Sequence, residues 1–265
     1  MAARAWLVLF FIAASAAAAH AQDSVFIDEL TSTEVAALVR AGKTTALVPI
    51  GGTEQSGPHI VLGKHNVRAR VLGGKIAVAL GNALVAPVIA YVPEGSVDPP
   101  SAHMRFAGTL TIPEKTFESV LEYAARSLRA SGFRDIVFLG DHGGYQRNEQ
   151  AVAARLDREW SSSPVRVHAL VDYYRAAEIA YSKALQARGY TAAEIGTHAG
   201  LADTSLALAV DPALVRTGEL TSGRDLDIAH GVYGDPRGAS AELGRIGVEL
   251  IVQRSVDAIR QAVRH

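Results

Sequence analysis

The stretch Thr45-Ala-Leu-Val-Pro-Ile50, continued by Gly51-Gly-Thr-Glu-Gln-Ser-Gly-Pro-His-Ile-Val-Leu-Gly-Lys-His-Asn66, decides the fold class. A short, nearly uninterrupted apolar run that ends in glycines is what a strand buried on both faces of a parallel sheet looks like. Similar Val-, Ile- and Leu-rich runs lie near Leu84–Tyr91, Asp135–Leu139 and Val165–Val171. They alternate with segments of helical period at Asn66–Leu80, Pro113–Ser131 and Tyr145–Trp160. This alternation predicts βαβ units and an α/β domain around a mostly parallel sheet. The second helix opens on Pro113 and closes at Gly132, as the conformational limits of those residues favour. Further helices fit Arg175–Arg188, Asp203–Ala209 and Ala239–Val263, and no repeat or low-complexity linker divides the chain.

The first residues belong to a different problem. Arg4, an uncharged apolar run and Ala19-His-Ala21 read as a secretory signal peptide over residues 1–21, cleaved after Ala21. The apolar core is shorter than the roughly 20 residues that span a bilayer. The expectation is therefore an exported, periplasmic protein with one domain over residues 22–265 and no membrane contact after cleavage. Removing 21 of 265 residues leaves 244, ample for one well-buried core. The chain has no cysteine, so it forms no disulfides, and any metal site must use His, Asp or Glu. A formal net charge of −1 and a pI of about 6.8 supply no basic field for nucleic acid.

In an open parallel sheet, ligands bind beyond the carboxyl ends of the strands. Two loops at such ends are dense in chemistry: Gly51–Asn66 after the first strand and Gly140-Asp-His-Gly-Gly-Tyr145 after the third. A third cluster, Thr197-His-Ala-Gly-Leu-Ala-Asp-Thr-Ser205, precedes a late helix. Gly51–Gly57 lacks the spacing of a phosphate-binding loop, and Ser56 lacks the context of a nucleophile elbow. Any single histidine of the nine is more often structural than catalytic. Glu54, His65 and His142 together, on loops that face one crevice, are a candidate metal site.

These residues resemble the creatininase (creatinine amidohydrolase) family, whose first motif runs approximately E-Q-H-G-P-H-L-P-L-G-T-D. The corresponding residues here are Glu54-Gln-Ser-Gly-Pro-His-Ile-Val-Leu-Gly-Lys-His65. His103-Met-Arg-Phe-Ala-Gly-Thr109 is similar to H-x-x-F-P-G-T, Gly140-Asp-His-Gly-Gly144 to N-G-H-G-G, and His198-Ala-Gly-Leu-Ala-Asp-Thr-Ser205 to H-A-G-E-x-E-T-S. Gly231-Val-Tyr-Gly-Asp-Pro-Arg237 completes the series. The resemblance implies a three-layer α/β/α fold, hydrolysis of cyclic amides and related C–N bonds, two divalent metals, and a homo-oligomer such as a hexamer.

The departures are specific. Ser56 stands where the family has a metal-binding His, and His65 where it has the Asp that bridges both metals. Gly144 stands where creatininase has a ligand Glu, and Leu201 and Asp203 replace two glutamates. A neutral imidazole offers one lone pair and cannot bridge two cations as a carboxylate can. The expectation is therefore one divalent ion per chain, held by Glu54, His65 and His142 with a position left for water. That ligand set suits Zn, with Mn or Fe as alternatives. The resemblance implies that His198 transfers a proton, with Asp203 either holding it or capping a helix. It also implies that His103, Phe106, Thr109 and Tyr145 line the substrate side. Asp141 is a candidate to orient a ligand imidazole, and His59 is read as structural. The expected activity is metal-dependent hydrolysis of a small cyclic amide, lactone or inosose-like carbonyl compound. The rival is a non-catalytic small-molecule-binding protein on the same scaffold.

Overall fold

A computed structural model describes residues 24–223 and 225–263; the proposed signal peptide lies outside the described residues. In chain order the elements are α1 (Ser32–Arg40), β1 (Thr45–Ile50), α2 (Lys64–Leu80), β2 (Ala83–Val85), α3 (Glu114–Ala130), β3 (Asp135–Gly140), α4 (Gln146–Glu159) and β4 (Arg166–Ala169). Next come α5 (Val171–Arg175), which runs on as a π-helical turn over Ala176–Tyr181 into α6 (Ser182–Gln186), then α7 (Ala192–Ile195) and α8 (Leu201–Val210). α9 (Thr217–Thr221) and the long α10 (Ala241–Ala262) complete the chain.

The four strands form one parallel sheet in the order β2-β1-β3-β4. Every residue of β1 is buried, as expected for a strand flanked by two others and covered on both faces. Successive side chains of a strand point to opposite faces, and here they feed two separate cores. Leu47, Val85, Val137 and Leu139 pack with Leu72 and Ile76 of α2 and with Ile251, Val256 and Ile259 of α10. Val48, Ile50, Ile136 and Phe138 pack on the other face with Phe117, Leu121 and Ala125 of α3 and Val152 and Leu156 of α4. This is the three-layer α/β/α arrangement, and each fully buried Leu, Ile or Phe contributes about 1.5–3 kcal/mol.

Pro49 sits in a central strand without cost because its nitrogen faces past the end of β2. Its carbonyl accepts from Ile89, beyond the last paired residue of that strand. β2 itself is shorter than the expected Leu84–Tyr91, since Pro87 cannot donate to a ladder. α8 begins two residues before the expected Asp203, with Gly200 at its N-cap. α1, which sequence periodicity did not single out, is set by a capping box between Thr31 and Glu34.

After β1 the chain crosses to β2 on one side of the sheet, and later returns to β3 on the other side of β1. The β1/β3 boundary is thus a topological switch point, where the loops leaving adjacent strands part and open a crevice. The Gly51–Asn66 and Asp141–Tyr145 loops both leave from it. Gly51 allows the first loop to fold back closely: a Cβ there would lie 2.8 Å from the Cα of Asn66.

Candidate active site

Glu54 is the centre of the crevice and is fully buried. Its Oε1 accepts from His65 Nε2 at 2.8 Å and lies 3.5 Å from Lys64 Nζ. Its Oε2 faces His103 Nε2 at 3.2 Å and His142 Nε2 at 3.5 Å, yet receives no hydrogen bond. Burial works to raise Glu54, but Lys64 and the His65 hydrogen bond outweigh it and hold the carboxyl well below its ordinary range. Beside it lies Glu94, also buried, with neither carboxylate oxygen hydrogen-bonded. Burial and the adjoining Glu54 charge push Glu94 up to about 9.

Glu54, Glu94, His103 and His142 each offer a donor atom, and these atoms lie within 4.8 Å of one another. Buried carboxylates without a fixed cation are costly, so Glu54 Oε2 and Glu94 converging on two imidazoles fit a site that would hold a divalent cation. Oxygen and imidazole donors suit Zn, Mn or Fe(II).

The residues expected to form the site come together with different assignments. Glu54 and His142 belong to the donor group. His65 is adjacent to it, but both of its nitrogens are engaged, Nε2 with Glu54 and Nδ1 with Asp141 Oδ2 at 2.6 Å. Asp141 is in turn held by Arg68 Nε at 2.8 Å and by the Tyr173 hydroxyl at 2.8 Å. His65 therefore stands as a strut that orients Glu54, and Asp141 orients His65. His103, expected on the substrate side, points at Glu54 instead. Thr109 is buried and its hydroxyl accepts from the Gln55 amide at 3.1 Å, bracing the loop, while Phe106 is half-buried. Tyr145 does not reach a substrate: it is fully buried, and its hydroxyl donates to Gly51 O at 2.6 Å and accepts from Asp141 N at 3.1 Å. It ties the β1 and β3 loops together. His59 is structural, its Nε2 within 3.0 Å of the Thr204 hydroxyl.

His198 has Nε2 2.9 Å from the Gln55 carbonyl and Nδ1 3.6 Å from Glu54 Oε1. The carbonyl partner assigns the proton to Nε2. Burial and Lys64 lower this imidazole to about 3, so it is neutral at pH 7. Asp203 does not contact His198 by hydrogen bond; it accepts from Ala199 N at 3.0 Å and from Arg68 at 2.8 Å, and pairs with Lys64. It thus closes the start of α8 from the third helical position rather than from the cap. A cavity of about 130 Å³ opens beside these groups, lined by His65, His142, Tyr174, Thr197, His198 and Asp203 among others.

Glu94 and Lys64 were missed in the sequence. Glu94 lies in the loop leaving β2, a third carboxyl end of the same sheet, which is the signal that could have found it.

An α/β chain with buried acids and histidines at its switch point has a candidate metal site of the kind enzymes place there. Its sequence over residues 28–259 matches the family model described as creatinine amidohydrolase, and the chain belongs to that family of hydrolases. It is 30% identical over 230 residues to the mycofactocin precursor peptide peptidase of Mycolicibacterium smegmatis, covering 77% of this chain and 80% of that protein. It is 26% identical over 260 residues to the creatinine amidohydrolase of Pseudomonas putida, covering 90% and 97%. The crystal structure of creatininase superposes with a TM-score of 0.76 at 26% identity, covering 92% of this chain and 99% of that one. Related creatininase structures are described as manganese and Zn–Zn forms.

Proposed function

We propose that this protein is a metal-dependent hydrolase of a small cyclic amide or related carbonyl compound. The observation that carries the reading is the buried pair Glu54 and Glu94, whose unpartnered oxygens face His103 and His142. These four residues would hold the ion. The chemistry an ion bound there supplies is polarisation of a carbonyl and a lower pKa for water. His198, which lines the cavity and whose Nδ1 lies 3.6 Å from Glu54 Oε1 without a hydrogen bond, is placed to accept a proton and return it to the leaving nitrogen. Gln55 fixes the imidazole through its carbonyl. The buried His65–Asp141–Arg68 chain keeps the Glu54 carboxylate from turning.

The cavity of about 130 Å³ reaches the centre at His142 and His198 and has room for a compact ring, which supports a cyclic substrate beside the peptide named for the peptidase relatives. The test is a panel of creatinine, hydantoins, lactams, lactones and short peptides, assayed with the Zn- and Mn-loaded protein. Hydrolysis of a cyclic member is expected, abolished by chelator and lowered about 10²–10⁴-fold in His198→Ala with metal content intact. Turnover of linear peptides alone would overturn the substrate reading. Tight metal binding without turnover of any member would favour the binding protein.

A further inference from the structure

Lys64 is the first residue of α2, and its side chain is only 2% exposed. A lysine buried this deeply needs paired carboxylates, and it has two: Glu54 Oε1 at 3.5 Å and Asp203 Oδ2. One of those partners is itself a residue of the candidate metal centre. Glu54 therefore divides its oxygens, Oε2 facing the His103 and His142 donors and Oε1 facing the ammonium. With an ion held on the Oε2 side, Glu54 would bridge two positive charges, that ion and the ammonium.

The charges in direct contact tell the same story. Glu54, Glu94, Asp141 and Asp203 stand against two fixed cations, Lys64 and Arg68. When all four carboxylates are ionised, at most two negative charges remain, and one fewer when His65, bonded to Glu54 and Asp141 at its two nitrogens, carries its second proton, so one divalent ion cancels them. A second divalent ion would leave a buried excess of positive charge beside an ammonium, at a desolvation cost with nothing to offset it. Nor does Ser56, buried and without a hydrogen-bond partner for its hydroxyl, provide a donor of the strength a divalent ion requires.

We propose that the Lys64 ammonium is a built-in cation that takes the place of a second metal ion, so that the centre loads one divalent ion and Lys64 sets that number. The inference rests on the reading of Glu54, Glu94, His103 and His142 as a metal centre. Removing the ammonium would leave Glu54 Oε1, Asp203 Oδ2 and His198 Nδ1 bordering an emptied space, which are donors for a second ion.

The experiment equilibrates the wild type, Lys64→Arg, Lys64→Ala and Lys64→Gln with excess Mn²⁺ or Zn²⁺. Free ion is removed, metal per chain is measured by plasma mass spectrometry, and folding is followed by circular dichroism. One ion is expected for the wild type and Lys64→Arg, and two for Lys64→Ala. Lys64→Gln keeps the stem without the charge and is expected to take up a second ion as well, which keeps the test alive if the alanine variant does not fold. Two ions in the wild type would overturn this inference alone. So would folded, uncharged variants that stay at one. No ion in the wild type would instead remove the metal centre itself, and this inference with it.

Discussion

Glu94 is pushed up to about 9, so at pH 7 the ion-free protein keeps a proton there that a bound cation must displace. His142, lowered to about 4, and His103, also lowered by burial, are already neutral and release none. Calorimetry in buffers of different ionisation enthalpy should therefore show about one proton released per ion at pH 7. Affinity should rise roughly tenfold per pH unit up to about 9. The same shift acts on stability. From its ordinary value of 4.5 up to about 9, Glu94 is protonated in the native state and ionised in the unfolded one, so ion-free stability falls as pH rises through that window. His142 and His198 act oppositely: depressed from 6.5 to about 4 and about 3, they cost stability as pH drops below 6.5. Between pH 6.5 and 9 the carboxylate acts without them. The Tm of chelator-treated protein should fall across that range, and Glu94→Gln should lessen the fall, with Glu149 and His65, also raised, supplying the rest; an unchanged slope in Glu94→Gln would contradict the assignment.

At the scale of elements, α10 lies against α8 through glycines. A Cβ at Gly244 would stand 1.8 Å from the Ser205 carbonyl oxygen, a backbone atom that cannot swing aside. Gly244→Ala should thus destabilise the protein by about 1–3 kcal/mol in chemical denaturation, through overpacking rather than loss of helix propensity. The long periodic elements were legible: β1, β3, α2, α3, α4 and α10 fall within a few residues of their expected limits. Their patterns are set by burial on one stripe or on both faces, which sequence displays directly. What was not legible depended on contacts between distant segments. The N-cap of α8 falls at Gly200 because Asp203 is taken up by Lys64 and Arg68 from α2. Tyr145 reads as a loop aromatic, yet it is buried between two strand ends. Glu94 and Lys64 carry no motif; they become part of the site only when three strand-end loops converge.

On the scale of the whole molecule, the sheet order places the ends of β1 and β3 side by side, and every group of the candidate centre is brought there by a loop or helix start. No helix among the described residues is long and apolar enough to cross a membrane. Family membership and the three-layer fold follow from the chain as a whole, whereas the candidate centre rests on a few side chains. In the proposed centre Glu94 and His103 join Glu54 and His142 as donors for one ion, with His65 and Lys64 bonded or paired outside it. The most direct test is a crystal structure of the Zn-loaded protein with anomalous differences recorded at the zinc edge. A single peak per chain is expected, within bonding distance of Glu54, Glu94, His103 and His142. A peak coordinated by His65, or a second peak between Glu54 and Asp203, would contradict that expectation.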